Sequence, residues 1–281
     1  MNPITPVQNT QGLSKEPVQH ETVLPERTLV LVAEDDDDLR DFLVQTLLEE
    51  YEVISAINGK IAFEMACEHI PDVIISDLVM PEVDGLGLLQ LLKNEQTTSH
   101  IPLLLLTAKS SLESRIEGLK YGAEAYLPKP FNTQELKAWI DTLLNNRRKL
   151  QILFKHASNG VDVDQATKDL EIQINLNPLD QDFLQRLEQI ISQELENENL
   201  NVEDLARLMF ISRSQLHRKV IALTGLSSTE FIRKSRLEYA WRLLKTEGGK
   251  ISDIAQRAGF RNVKYFSTAF KEHFGKSPSE I

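Results

Sequence analysis

The chain has 281 residues, of which 41% are hydrophobic and 26% charged, so it is long enough for two folded domains and too apolar to be disordered throughout. No apolar run reaches the roughly 18 residues of a membrane-spanning helix, and we expect a cytoplasmic protein without a membrane partner. The net charge of −11 is uneven: residues 1–150 carry −11, whereas residues 185–281 hold 16 Lys/Arg against 12 Asp/Glu, a mildly basic balance that weakly favours a nucleic-acid partner.

The first half of the chain alternates apolar runs with helical patterns. Residues 1–27 are polar and proline-containing, which predicts a disordered tail. The predicted strands that follow are Leu29–Ala33, Val53–Ala56, Val73–Ser76, Leu103–Leu106 and Ala125–Leu127. The predicted helices are Asp38–Glu50, Gly59–His69, Leu86–Leu92, Leu112–Tyr121 and Thr133–Asn146. Strands that are apolar throughout are covered on both faces, so residues 28–147 are predicted to form an α/β domain with a doubly wound, flavodoxin-like sheet of five parallel strands.

The second half has the texture of an all-α domain. Residues 148–182 are predicted to be a connector, which is basic at its start and acidic later. Residues 183–281 are predicted to contain about seven helices. Ser212 with Gln215 and Ser227 with Glu230 fit the capping box, a signature of a helix start.

Polar side chains follow four of the five predicted strands. In a doubly wound sheet the functional site forms outside the carboxyl ends of the strands. The residues at those ends are Glu34, Asp35, Asp36, Asp77, Thr107 and Lys129. Packed carboxylates favour a hard cation such as Mg²⁺, and a carboxylate beside that ion can attack a phosphoryl group. The pattern therefore predicts phosphoryl chemistry at this rim.

The motifs VLVAEDD, IISDLVMPEVDG, LLLLTAK and AYLPKPF, in this order and spacing, resemble the receiver domain of two-component response regulators. The resemblance implies that Asp77 accepts a phosphoryl group and that Thr107 and Lys129 contact it. It also implies that Tyr126 is a switch residue that responds to phosphorylation. In the alternative interpretation, Tyr126 is an ordinary half-buried residue of the strand. The implied Mg²⁺ ligands are Glu34, Asp35, Asp77 and the backbone carbonyl of Val79, with Asp36 as a competing ligand. Pro81 and Gly85 are expected to shape the loop after Asp77.

Two helix-turn-helix patterns follow in the helical half. In the first, a helix over Val202–Met209 and a helix after Ser212 are separated by a short break, and the second of such a pair can enter the major groove of DNA. Its outward residues are Arg213, Ser214, His217 and Arg218. The second pattern lies 49 residues later, counted from Ala206 to Ala255. Its predicted DNA-contacting residues are Asn262, Val263, Lys264 and Thr268.

The segments NVEDLARLMFISRSQLHRKVIALTG and ISDIAQRAGFRNVKYFSTAFKEHFGKSPSE resemble the two halves of the AraC-type DNA-binding domain. Phe210 stands where that family usually has glycine, so we expect the first turn to be displaced. The order of the two regions also resembles the C-terminal portion of hybrid two-component sensors. No kinase or membrane segment precedes them in this sequence, so we expect a free-standing regulator.

The combined patterns predict a DNA-binding transcriptional regulator controlled by phosphorylation. Its expected partners are a cognate sensor histidine kinase, promoter DNA and, when phosphorylated, a second copy of itself. It is expected to be no enzyme beyond accepting a phosphoryl group on Asp77 and slowly releasing it. One alternative is a receiver-like module that is never phosphorylated and whose DNA binding is controlled by protein partners. A more distant alternative is a phosphatase of the haloacid dehalogenase type, which needs a further acidic pair that the segment after Lys129 lacks.

Overall fold

The structure, a computed structural model, describes residues 27–108, 124–157, 177–195 and 197–281. The first part contains strands β1 (Leu29–Ala33), β2 (Glu52–Ala56), β3 (Val73–Asp77), β4 (Leu103–Ala108) and β5 (Ala125–Lys129). Its helices are α1 (Asp37–Leu48), α2 (Gly59–His69), α3 (Gly85–Asn94) and α4 (Thr133–Ala157). The helices from residue 178 on are α5 (Pro178–Gln193), α6 (Val202–Leu208), α7 (Arg213–Thr224), α8 (Ser228–Thr246), α9 (Ile251–Arg257) and α10 (Val263–Phe274). The predicted tail, except Arg27, the predicted helix Leu112–Tyr121 and most of the predicted connector lie outside the described residues.

The five strands form one parallel sheet in the order β2-β1-β3-β4-β5. Every residue of β1 is buried, because α2 and α3 pack on one face of the sheet and α1 and α4 on the other. Strands covered on both faces need apolar residues at every position, which is why continuous apolar runs in the sequence indicated a buried parallel sheet. The predicted doubly wound, flavodoxin-like sheet is confirmed.

Helix α4 is longer than its sequence pattern predicted. It continues past the expected end at Asn146 to Ala157. Its last turns leave the sheet, and Phe154 packs against the apolar cluster of the helical region. The ring of Phe154 stacks on Phe231 of α8 at 6.4 Å between centroids. One continuous helix therefore connects the core of the α/β domain to the core of the helical domain.

The helical domain contains six α-helices and a short 3₁₀ turn within the described residues, close to the seven helices expected. The capping boxes predicted at Ser212 and Ser227 are confirmed, and Asn201 and Asn262 cap α6 and α10: each of the four side chains accepts a hydrogen bond from a backbone N–H in the first turn of its helix. Such caps satisfy donors that an isolated helix end leaves free. Two apolar clusters, one around α6 and α7 and one around α9 and α10, hold the two helix-turn-helix units.

The turns of the two helix-turn-helix units have the same backbone geometry. Phe210 has φ 59° and Gly259 has φ 75°, both in the left-handed region. In both turns the next residue donates its N–H to the carbonyl of the small residue in the preceding helix: Ile211 to Ala206 at 3.1 Å and Phe260 to Ala255 at 2.9 Å. The expected displacement of the first turn is therefore wrong. Phe210 adopts the same left-handed conformation as the glycine, and its side chain is 84% exposed, so little of the surrounding protein crowds it there.

Candidate functional site

The acidic rim lies where the parallel strands end. Asp77 is the last residue of β3 and pairs in register with Leu106 of β4. Lys129 is the last residue of β5 and pairs with Ala108, directly after Thr107. Glu34 follows β1, and its backbone N–H donates to the carbonyl of Ala56 at 3.1 Å, which extends the sheet by one bond. Residues far apart in the chain thus meet because all five strands point the same way.

Lys129 joins two of the carboxylates. Its Nζ lies 2.7 Å from Oδ1 of Asp77 and 3.0 Å from Oε2 of Glu34. Burial alone lowers the pKa of Lys129, but the hydrogen bonds and charges of Asp77 and Glu34 outweigh it and raise that pKa above its usual value. Burial of Glu34, opposed by its bond to Lys129 and reinforced by the charge of Asp77, raises the pKa of this carboxyl group. The site therefore holds negative charge that a single ammonium group only partly neutralises.

Three carboxylates of the rim converge. Ligand oxygens of Glu34, Asp35 and Asp77 lie within 4.8 Å of one another. Glu34 is buried, Asp77 is partly buried and Asp35 is exposed, so one side of the group is open to solvent. Oxygen donors in an open, partly hydrated site suit Mg²⁺, which retains several water ligands. Asp36, the competing ligand considered from sequence, instead caps α1 by accepting from the N–H of Leu39 at 2.8 Å.

Close backbone packing holds the loop between β3 and α3. A β-carbon at Gly85 would lie 2.4 Å from the backbone oxygen of Asp77 and 2.7 Å from a methyl carbon of Leu105. The N–H of Gly85 donates to the carbonyl of Leu78 at 3.0 Å. Val79 is 73% exposed, so its carbonyl lies in an accessible loop. Glycine at 85 lets α3 begin directly against the predicted phosphoryl acceptor.

Thr107 and Tyr126 lie on neighbouring strands. Thr107 is buried at the end of β4. Tyr126 is half-buried in β5, next to Leu105 in register, and packs against the apolar cluster beneath α3. The switch role of Tyr126 stays a prediction, because a half-buried tyrosine in this strand also fits the alternative interpretation.

The predicted DNA-contacting residues of α7 fall into two groups. Arg213 and Ser214 are exposed at the start of the helix, and Arg213 pairs with Glu203 at 3.2 Å. His217 and Arg218 are half-buried and line a cleft of about 260 Å³ between α7 and the α/β domain. Arg147 and Gln151 of α4 form part of the opposite wall. The structure therefore brings only part of this predicted set to the open surface.

The corresponding residues of α10 are open to solvent. Val263, Lys264 and Thr268 are exposed along one face. Asn262 is also exposed but caps α10 by accepting from the N–H of Tyr265 at 3.0 Å. Hydroxyl and ammonium groups on an exposed helix suit contacts to DNA bases and phosphates.

Sequence reasoning missed one polar cluster, which connects the two domains. Lys219 of α7 is 1% exposed and its Nζ donates to Oδ1 of Asp180 at 2.6 Å. Ser99, between α3 and β4, donates to the same carboxylate at 2.6 Å. Lys219 stands beside the inward positions of α7, and no sequence pattern marks which lysine of a helix becomes buried. Its partner Ser99 lies 120 residues away in the chain, so only tertiary structure assembles the cluster.

Comparison with known families agrees with this architecture. The family described as response regulator receiver domain matches residues 30–141, and a helix-turn-helix domain family of the AraC type matches residues 205–281. The chain therefore contains a response regulator receiver domain followed by an AraC-type helix-turn-helix domain. Within the described part of the chain, no helix is both long and apolar enough to span a membrane.

Individual relatives share one or both regions. "Histidine kinase P4" of Formosa agariphila is 36% identical over 255 residues, which are 91% of this chain and 18% of that protein. "Response regulator ArlR" of Staphylococcus aureus is 34% identical over 49% of this chain and 61% of its own length. Among solved structures, Vibrio cholerae chemotaxis protein CheY4 is 33% identical, covers 42% of this chain and 99% of its own, and has a TM-score of 0.41. The chain thus spans about a fifth of the kinase and about three fifths of ArlR.

Proposed function

We propose that this protein is a transcriptional regulator in which phosphorylation of Asp77 by a sensor histidine kinase controls binding to promoter DNA. The observation that carries the proposal is the meeting of Asp77, Glu34, Asp35 and Lys129 at one rim, on a chain that also carries two helix-turn-helix units. A phosphoryl acceptor and a DNA-binding domain in one chain suit a protein that converts a signal into transcription.

The phosphoryl transfer uses the carboxylate of Asp77 as nucleophile. One of its oxygens bonds to phosphorus while the bond from phosphorus to the donor nitrogen or oxygen breaks, and the donor leaves with the electron pair. Glu34, Asp35, Asp77 and the carbonyl of Val79 would hold Mg²⁺, which supplies charge neutralisation for the transferred group. Lys129 lies 2.7 Å from Asp77 and is therefore placed to contact a phosphoryl oxygen.

Thr107 and Tyr126 are the proposed reporters of phosphorylation. Thr107 lies on the strand between Asp77 and Lys129, so its hydroxyl can follow a phosphoryl oxygen. Movement of Thr107 leaves room beside the half-buried Tyr126 and changes the adjoining surface. We propose that the phosphorylated protein then dimerises and that slow hydrolysis of the acyl phosphate resets it.

Incorporation of phosphate from ³²P-labelled acetyl phosphate tests this function. The wild-type protein is expected to take up about one label per chain with Mg²⁺ and almost none with EDTA. Asp77→Asn removes the nucleophile and should abolish labelling. Asp38→Asn, at an exposed acidic position in the first turn of α1, is the matched control and should label like the wild type.

Each other outcome has a distinct meaning. A wild-type protein that never labels, yet binds DNA, contradicts the phosphoryl chemistry and favours the module controlled by protein partners. Multiple turnover that survives Asp77→Asn contradicts the proposal and revives the phosphatase. Labelling that persists in Asp77→Asn at one per chain contradicts the assignment of the acceptor.

A further inference from the structure

The receiver domain contacts the first helix-turn-helix unit through its edge opposite the acidic rim. The contacting groups are the carbonyls of Cys67 and Gln96 and the side chains of Ser99, Arg147 and Gln151. We refer to these five residues as the docking surface. Ser99 lies before β4, near the strand ends that start the sheet, whereas Asp77 and Lys129 lie at the strand ends that finish it.

The docking surface binds α7 with polar contacts along about two turns, from residue 215 to residue 222. Gln215 donates to the carbonyl of Cys67 at 2.7 Å. Lys219 donates to the carbonyl of Gln96 and to the hydroxyl of Ser99, the latter at 3.0 Å. Gln151 donates to the carbonyls of residues 221 and 222 at 2.9 and 3.1 Å.

Lys219 shows that this contact is closed to water. A lysine that is 1% exposed must have partners for its ammonium group, and it has Asp180, Ser99 and the carbonyl of Gln96. Its Nζ also lies 4.9 Å from the ring centroid of Phe183. Two of its partners belong to the receiver domain, so the lysine is fully satisfied only when the domains are in contact.

Part of the outward face of α7, which is the face that DNA needs, is covered: His217 and Arg218 line the cleft against the receiver domain, whereas Arg213 and Ser214 at the start of the helix stay exposed. Leu216 and Val220 point into the core of the helix-turn-helix unit. On a helix with 3.6 residues per turn, Arg218 lies nearly opposite these two positions, and it lines the cleft against the receiver domain. A helix in the major groove presents that opposite face to the bases, and a groove about 12 Å wide has no room for an adjoining domain.

Among the residues that the structure describes, none covers the second unit in this way. Lys264 and Thr268 of α10 are exposed, as is Lys271 one turn later. The two DNA-reading helices of the protein therefore differ in accessibility in one and the same structure. With α7 docked, only α10 is free to enter a groove.

We propose that the docking surface and DNA compete for α7, so that the receiver domain holds the first helix-turn-helix unit out of DNA while leaving the second unit free. The occupant of the docking surface is α7 of the same chain, identified by the contacts of Gln215 and Lys219. The inference rests on the proposed function only in that α7 and α10 bind DNA. It does not require phosphorylation.

Ser99→Arg tests the competition in the full-length protein. A long cationic side chain does not fit where Ser99 is 1% exposed beside Lys219, so the domains should separate. Ser55→Arg, at an exposed serine on edge strand β2, is the matched control for the added charge. The assay is fluorescence anisotropy with a fluorescein-labelled pool of random duplexes of about 40 base pairs, long enough for two major grooves one turn apart.

We expect Ser99→Arg to bind the duplex pool about tenfold more tightly than the wild type, and Ser55→Arg to stay within about twofold of it. Ser99→Ala should shift affinity in the same direction by about two- to fivefold, since it removes the hydrogen bonds of the Ser99 hydroxyl with Asp180 and Lys219 without adding bulk. This variant keeps the test decisive if Ser99→Arg fails to fold. Equal affinities for both serine variants and the wild type would overturn the competition while leaving DNA binding intact. Absence of DNA binding in every variant would instead contradict the proposed function.

Discussion

Gly85 offers a direct link between backbone packing and the chemistry of Asp77. In Gly85→Ala the new β-carbon would lie 2.4 Å from the backbone oxygen of Asp77, 2.7 Å from Cδ2 of Leu105 and 3.1 Å from Cα of Leu78. Two of these atoms belong to the backbone and cannot rotate away, so the loop or the start of α3 must move. Overpacking of this kind costs about 1–3 kcal/mol, of which better helix propensity returns about 0.5–1 kcal/mol. We expect a net loss of about 1–2 kcal/mol of unfolding free energy.

Gly87→Ala, two residues later in α3, is the matched control. Its new β-carbon would meet only side-chain atoms, Oδ1 of Asp84 and Cγ1 of Val83, both at 3.2 Å. Small rotations relieve these contacts, so the variant should be neutral or up to about 1 kcal/mol more stable. Urea unfolding measures both values, and acetyl phosphate labelling should slow in Gly85→Ala alone because its acceptor loop has moved. Equal stability and equal labelling of the two variants would refute the reasoning.

Three further predictions use other parts of the molecule. Gly259→Ala should lower the free energy of unfolding by at least about 2 kcal/mol, because a β-carbon there would lie 2.4 Å from the carbonyl oxygen of Leu195 and φ is 75°. Phe210→Gly in the equivalent turn should raise the melting temperature, because it relieves about 1 kcal/mol of backbone strain. Thermal unfolding that ranks the two variants the other way contradicts the shared turn geometry. The ring nitrogens of His100 are buried without a hydrogen-bond partner among the described residues, and burial, with the charges of nearby cations, lowers the pKa of His100 well below 6.5. At low pH the unfolded chain therefore binds a proton that the folded chain does not, and the free energy of unfolding should fall as pH drops below about 6.5, by up to about 1.4 kcal/mol per pH unit. His100→Phe should reduce the pH dependence of the urea midpoint between pH 7.5 and 5.5. An unchanged pH dependence in this variant contradicts the role given to His100. Burial and Glu95 raise the pKa of Cys67 to about 11, so iodoacetamide at pH 8 should alkylate the native thiol about a hundredfold more slowly than the unfolded one, and equal rates would contradict this.

Local chemistry explains why so many elements were predictable. The strand Leu29–Ala33 and the helix Gly59–His69 have the predicted bounds, because an all-apolar run and an asparagine cap with a helical pattern are signals carried by the residues themselves. The end of α4 was missed because its later turns bury Phe154 against another domain rather than against the sheet. The expected displacement at Phe210 was wrong because exposure of the side chain made a left-handed backbone tolerable.

The rim of carboxylates was also determined by the sequence, since parallel strands place their carboxyl ends on one edge whatever the details of packing. Pairwise geometry was not: the bond of Lys129 to both Asp77 and Glu34, and the use of Asp36 as a helix cap, depend on side-chain positions. The functional roles of these residues stay predictions for the labelling experiment.

What the sequence by itself determined is the order of elements, the two domains and the residues brought to the rim, because propensity, periodicity and strand direction act over short stretches of chain. Only the tertiary structure decided that Lys219 is buried with Asp180 and Ser99, and that part of the outward face of α7 is covered while that of α10 is exposed. The physical reason is that docking depends on complementary shape and charge between surfaces far apart in the chain, and no local pattern encodes which two surfaces will meet.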